Sequence, residues 1–238
     1  MSAKKTLKII GGILVFLTLP SLLLFGFLYF KYDEDLPQGI SGEQADVVAQ
    51  KMLEALDYKA FEDTAVIEWT FKGRRHYKWN KEKHTCAVEW EDYKVVLDLR
   101  HHEKSKAFVH GFTLESELAK KYIAKALKYY NNDSFWLAAP YKVFDPGTER
   151  QKIDLPHDQT GLLVTYTSGG TTPGDSYLWL LDENYNPTAF KMWVSILPID
   201  GLEASWNDWT TTETGAILPT FHKFLIFGIQ NSYIKTSF

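Results

Sequence analysis

One cysteine, Cys86, among 238 residues leaves the chain without an internal disulfide or a Cys-based zinc site. Nine prolines and fifteen glycines are too few for a fibrous or low-complexity chain. Charged residues at 24% against 45% apolar residues exclude a disordered tail. A net charge of −4 gives no reason to expect nucleic acid. Catalytic and ligand signatures are equally scarce. No G-x-S-x-G is present, and His101-His102-Glu103 lacks the second histidine of H-E-x-x-H. Gly169–Ser176 has the glycine spacing of a phosphate loop, but Asp175 stands where the phosphate-binding lysine belongs, so it reads as a flexible hairpin loop. His76, His84 and His110 have no metal-ligand spacing and read as polar-face or turn residues. Cys86 falls at an apolar strand position and reads as a small buried hydrophobe. No metal ligand, cofactor or catalytic residue is implied.

Acids are missing from the first thirty residues, whose only charges are Lys4, Lys5 and Lys8. Ile9–Phe30 is an uncharged run of 22 residues, about 33 Å long as a helix and enough to cross a bilayer core. The run is too long for a signal-peptide core and ends in Leu28-Tyr29-Phe30-Lys31 with no small-residue cleavage site, so it reads as an uncleaved anchor. Lysines before the span and Asp33, Glu34 and Asp35 after it place residues 1–8 in the cytoplasm and the rest outside, in the periplasm of an inner-membrane protein. The remaining 23 basic and 30 acidic residues give the outer part a net charge of −7, which opposes a general attraction to anionic surfaces.

Residues 31–40 form a polar tether, and 41–238 the extracytoplasmic domain. Ser41 with Gln44 predicts a capping box for a helix running to about Leu56. Short alternating strands follow over Ala65–Lys72, His76–Asn80, Thr85–Glu91, Tyr93–Leu99 and Lys106–Gly111. A second helix is expected from about Leu114 to Tyr130, started by Thr113, with Lys120, Lys121, Lys125 and Lys128 on its solvated side. Asn131–Pro146 predicts a short helix and turn. More strands are expected at Gly161–Ser168, Ser176–Asp182, Thr188–Ser195, Ala204–Trp209, within Leu218–Ile229, and at Ser232–Phe238. This order points to an α+β fold: a strongly curved antiparallel sheet or half-open β-barrel with two or three helices, preceded by one transmembrane helix. Tyr177, Trp179 and Leu181 alternate with Leu178 and Leu180, so that strand must bury both faces.

A membrane signal, a first helix, a Trp/Phe-rich meander, a middle helix and a second strand set together resemble the LolA/LolB type of periplasmic lipoprotein carrier. The second half is also similar to uncharacterised bacterial membrane-associated proteins through Asn132-Asp-Ser-Phe-Trp136, Pro140-Tyr-Lys, Asp145-Pro-Gly, Tyr177-Leu-Trp-Leu-Leu-Asp-Glu-Asn184 and Lys191-Met-Trp-Val. The resemblance covers about residues 41–238 and implies an open half-barrel whose apolar interior holds acyl chains. It carries over no individual functional residue, and the retained anchor departs from a freely diffusing shuttle.

Aromatic residues are what the chain has in plenty. Outside the first thirty residues they number 31 of 208, including all eight tryptophans. Core packing is one reading of them. The other is a cavity wall for a lipid, acyl chain or lipoprotein-like apolar ligand, formed by Ile67, Trp69, Phe71, Trp90, Leu97, Tyr177, Trp179 and Trp193. An envelope enzyme with a polar cleft near Asp175 or Asp182, and a non-catalytic envelope scaffold, remain alternatives; no protein partner is indicated.

Overall fold

Two chemically different parts are joined at Tyr32 in the computed structural model, which describes residues 3–169 and 171–238. Met1 and Ser2, which open the expected cytoplasmic segment, and Gly170 of the glycine-rich loop lie outside the described residues. Helix α1 (Ala3–Tyr32) contains Pro20 and stands almost wholly exposed. Its Leu7–Tyr32 stretch, 26 residues containing an 18-residue window of mean hydropathy 2.3, is long and apolar enough to cross a membrane.

The body begins with β1 (Ile40–Ser41), α2 (Glu43–Ala55) and α3 (Tyr58–Asp63). A meander follows: β2 (Val66–Phe71), β3 (Arg75–Asn80), β4 (Thr85–Trp90), β5 (Tyr93–Asp98), β6 (Lys106–Val109) and β7 (Phe112–Thr113). Helix α4 (Ser116–Ala138) leads to β8 (Thr148–Asp154), β9 (Thr160–Tyr166), β10 (Ser176–Leu181) and β11 (Pro187–Trp193). The last strands are β12 (Leu202–Ser205), β13 (Asp208–Thr211), β14 (Ile217–Phe224) and β15 (Phe227–Ser237). They form one antiparallel sheet in the order β1-β8-β9-β10-β11-β12-β14-β15-β2-β3-β4-β5-β6-β7, with β13 beside β14. The two halves meet where β15 pairs β2, with Asn231 opposite Phe71 and Ser237 opposite Val66. Both edges are two-residue strands, so the sheet curves without closing, and the short edges offer little to a passing strand.

Period-two alternation decides the faces. Ile67, Trp69 and Phe71 of β2, Val95 and Leu97 of β5, and Trp179 and Leu181 of β10 all enter one core with α2 and α4. On the other face, Ile153, Leu163, Leu178 and Trp193 make a smaller cluster with Leu155 and Leu180. The expected tether residues cover it. Trp193 Nε1 donates to the Glu34 carbonyl (2.7 Å), Lys191 Nζ pairs with the Glu34 carboxylate (2.6 Å), and Gly39 N donates to Gln151 Oε1 (2.8 Å). A Cβ on Gly39 would lie 2.2 Å from the Lys152 carbonyl oxygen, so only glycine lets the strap lie this close.

Several local expectations give way to tertiary contacts. Ser41 makes no capping box: it belongs to β1, and Gly42 stands at the N-cap of α2 without a side-chain bond. Thr113 likewise belongs to β7, and Glu115 precedes α4. Helix α4 does not stop near Tyr130 but continues through Asn131-Asn132-Asp133-Ser134 to Ala138. These turn-forming residues stay helical because Asp133 is held in the core. Arg75 Nε and Nη2 donate to its two oxygens (2.6 and 3.1 Å), and the Tyr77 hydroxyl donates to Oδ2 (2.5 Å). Strand β8, Thr-Glu-Arg-Gln-Lys-Ile-Asp, has no apolar alternation to announce it. It forms because Arg150 reaches Asp46 of α2 (2.7 Å) and its backbone pairs β9 and β1. The expected strand over Ala204–Trp209 is two strands, β12 and β13, pairing different stretches of β14.

Asp133→Ala leaves a largely buried guanidinium and a buried phenol without their partner, and is expected to cost about 3 kcal/mol in chemical denaturation. Burial raises the pKa of Tyr77, Tyr141, Tyr166 and Tyr177 well above the ordinary tyrosine value. Above about pH 10 the unfolded chain loses phenol protons that the folded chain keeps. Stability is therefore expected to fall as pH rises past that point, with phenolate absorbance appearing together with unfolding.

Candidate functional site: the aromatic face beneath helix four

Seven of the eight candidate ligand-binding residues share one face. Ile67, Trp69, Phe71, Trp90, Leu97 and Trp179 are buried in the main core, and Tyr177 packs against it. Trp193 lies on the opposite face, in the small cluster under the strap, because it is one residue out of phase with Phe190 and Met192, which point inward. The candidates thus mix the two faces of the sheet.

The inner face is filled. Trp69 and its cross-strand partner Tyr77 stack at 4.4 Å, and Trp179 meets Trp206 edge to face at 5.0 Å. Trp136, from the last turns of α4, stacks on Trp206 at 5.9 Å and tilts over Phe190 at 5.4 Å. Four contributors are absent from the candidates read from the sequence: Tyr77, Trp206, Phe190 and the helix-borne Trp136. An i, i+3 spacing from Asp133 to Trp136 was the available signal, since it puts both on one face of a continuous α4.

Four buried indoles in this packing, Trp69, Trp90, Trp179 and Trp206, have an Nε1 with no protein acceptor, and the buried Tyr166 hydroxyl has none either. A buried donor without an acceptor costs about 1–3 kcal/mol, and an ordinary core avoids such groups. These donors are spread over β2, β4, β9, β10 and the link after β12, all on or beside the aromatic face.

Burial under α4 is uneven. From Asp133 to Ala139 the helix is mostly buried, whereas between Leu114 and Tyr130 only Ala126 is. Leu118 is 49% exposed, and Tyr122, Ile123, Leu127 and Tyr129 are half-buried. This first half rests on β4, β5 and β6 through Tyr122, which stacks on Tyr93 at 4.2 Å and donates its hydroxyl proton to the Tyr93 oxygen (2.7 Å), and through Tyr129 against Trp90. The second half is tied by Asp133 and by His222, whose Nε2 lies 2.7 Å from the Trp136 carbonyl and whose Nδ1 lies 3.0 Å from that of Ser205. A neutral imidazole has one N–H for these two acceptors, and burial still holds its pKa below the ordinary histidine value against their pull.

Two clefts open elsewhere. One of about 620 Å³ is lined by His157, Asp158, Gln159, Asp182, Glu183 and Tyr185; another, of about 310 Å³, lies between Leu56, Pro187, Asn207 and Trp209. Of the two acids named as alternatives for an enzyme, Asp182 lines the larger cleft beside His157, Asp158 and Glu183, and Asp175 lies away from it. Asp175 accepts from Thr172 Oγ1 (2.5 Å) and Ser195 N (2.9 Å) at one end of β10, and Asp182 accepts from the backbone N–H of Asn184 and Asn186 at the other. Six residues of strand, roughly 20 Å, separate them. His84 and His110 lie in turns, and His76 Nδ1 contacts Thr70 Oγ1 at 3.1 Å on the polar side of β2 and β3.

Comparison with solved structures finds likenesses of outline. A DUF1329 family protein from Desulfovibrio piger aligns over 81% of this chain and 93% of its own, with a TM-score of 0.42 and 7% identity. A putative outer membrane lipoprotein-sorting protein domain from Vibrio parahaemolyticus aligns over 79% of this chain and 93% of its own, with a TM-score of 0.35 and 11% identity. No protein-family model and no curated protein matches the sequence. The function has to follow from the residues of this chain.

His222 supplies a pH test of the helix attachment. Below about pH 6.5 the unfolded imidazole takes up a proton that the buried one resists, so stability falls on acidification through that window. Replacing His222 with Gln is expected to flatten this dependence in denaturant midpoints measured between about pH 7 and 5.

Proposed function

We propose that the protein is a membrane-anchored, extracytoplasmic binding protein for a lipid or another molecule carrying an acyl chain, held on the aromatic inner face beneath α4. The supporting observation is the group of buried indole and phenol donors without protein acceptors on an otherwise apolar wall. An acyl chain satisfies the apolar wall, and the ester or carboxyl oxygens at its head supply an acceptor to the donor they lie beside. Burial of about ten methylenes contributes roughly 8 kcal/mol. That gain offsets the cost of moving the first half of α4 off β4, β5 and β6, where contacts are looser than in the second half. Anchoring by α1, with Lys4, Lys5 and Lys8 on the cytoplasmic side, places the sheet outside the membrane, in the periplasm where the cell has two membranes.

The full chain, extracted in mild detergent, is expected to carry lipid in native mass spectrometry. After stripping, a fatty acid brominated in mid-chain should quench its tryptophan fluorescence saturably, because Trp69, Trp90, Trp179 and Trp206 surround the site. A lipid-free protein whose fluorescence responds no more to the brominated acid than to the unbrominated one would refute the reading.

A further inference from the structure

The end of the sheet from which α1 departs carries a second, smaller apolar feature. Strand β14 runs into β15 through Phe224-Leu225-Ile226-Phe227. Ile226 is 89% exposed and Phe227 59%. Tight hairpin turns of this kind select Asn, Asp or Gly, yet here Leu225 takes a positive φ of 52° and its neighbours are all apolar. Gly228 lets the Phe221 ring lie beside the tip, since a Cβ there would come within 2.6 Å of the ring. Phe224 and Leu225 are half-buried against the main core, but nothing in the hairpin explains the exposed pair Ile226-Phe227 at its end.

Register places this tip on the α1 side of the molecule. Phe224 pairs with Ala204 in antiparallel β12, so residues 225–227 extend toward Leu202 and the 194–201 loop. That loop grips the end of α1: Glu34 N donates to the Asp200 carbonyl (3.2 Å), Asp200 N donates to Asp33 Oδ1 (3.0 Å), and Leu28 and Tyr32 pack against the core. Ile196 in the same loop is 71% exposed. Only two residues separate the last helical turn from these bonds, so the loop lies within roughly 7 Å of the helix end. The Leu7–Tyr32 stretch is about 39 Å long against a hydrocarbon core of about 30 Å, which puts that end among the headgroups. Cations flank the tip: exposed Lys223 precedes it, and exposed Lys72 and Arg74 occupy the turn after β2, where Lys72 N donates to the Gln230 carbonyl (2.8 Å). Apolar side chains beside lysine and arginine suit the boundary between acyl chains and phosphates. At the other end of the sheet the turns read Lys81-Glu82-Lys83-His84 and Asp182-Glu183-Asn184.

We propose that this end of the sheet is a membrane-docking face, with the exposed Ile226-Phe227 tip lodged in the interfacial layer of the bilayer that α1 spans. The inference rests on α1 as a membrane span and is independent of ligand binding. Docking fixes the tilt of the sheet over the bilayer, so the exposed start of α4, with Phe112 and Leu118, faces the same surface.

The test uses the full chain in phosphatidylcholine proteoliposomes. An environment-sensitive fluorophore is attached at Ile226→Cys, at Asn184→Cys on the far end, or at Leu23→Cys within α1; buried Cys86, its thiol pKa raised by burial, does not compete. Lipids bearing a nitroxide near the headgroup or in the acyl chain serve as quenchers. The fluorophore at 226 is expected to be quenched by the headgroup nitroxide several-fold more than that at 184, while 23 responds to the acyl-chain nitroxide. Quenching at 23 with 226 no different from 184 overturns docking and leaves the anchor intact. Absence of quenching at 23 overturns the anchor and the docking together.

Discussion

The buried carboxylate of Asp133 governs the arrangement of the molecule. It receives two bonds from Arg75 and one from Tyr77, both on β3, and so fixes a 23-residue helix across the sheet at one point along its length. A buried ion pair of this kind adds little net stability over an apolar replacement, but it is costly to break and fixes alignment. Trp136, one turn beyond Asp133, is thereby brought onto Trp206, and its carbonyl onto His222 and Asn231. Without that alignment α4 would be an amphipathic helix free to slide along an apolar sheet.

Fixing the helix near its C-terminal end leaves the other end comparatively free. The second half is held by several directional bonds into the core, the first by tyrosine rings, the edges of aliphatic side chains and the single Tyr122–Tyr93 hydroxyl bond. Directional bonds have one good geometry, whereas apolar contacts tolerate small displacements at modest cost. The proposed binding mode uses this difference. The indole donors without acceptors belong with it, because a wall that kept them permanently dry would be stable only at their expense.

Much of the fold was legible because alternation is a strong signal. The strands of the first meander follow from Ile67-x-Trp69-x-Phe71 and its neighbours, and the apolar first segment follows from length and lack of charge. The missed elements share a cause. β8 is polar at most positions and exists through Arg150, Asp46 and two neighbouring strands. The extension of α4 runs through residues whose local preference is to end a helix, and it depends on Arg75, 58 residues earlier in the chain. Trp193 shows the same limit at the site. Its residue type fits a cavity wall, but face is set by register, and β11 turns its tryptophan toward the strap while presenting Phe190 and Met192 to the core. The acceptor-free indoles were beyond reach, since whether an N–H finds a partner depends on packing and leaves no trace in composition.

The seam between β15 and β2 carries a consequence for how the chain comes to be folded. Thr70 and Ser232 face each other across it from positions 162 residues apart. During synthesis, the β2–β7 meander emerges with one side of β2 unpaired, and it stays so until nearly all of the following chain has been made. The sheet therefore cannot assemble progressively from its N-terminal half, and closure of the most distant contact comes late. An open strand edge left unpaired for that interval invites pairing with other nascent chains. Protection of that edge until β15 arrives is a demand that the strand order places on the cell.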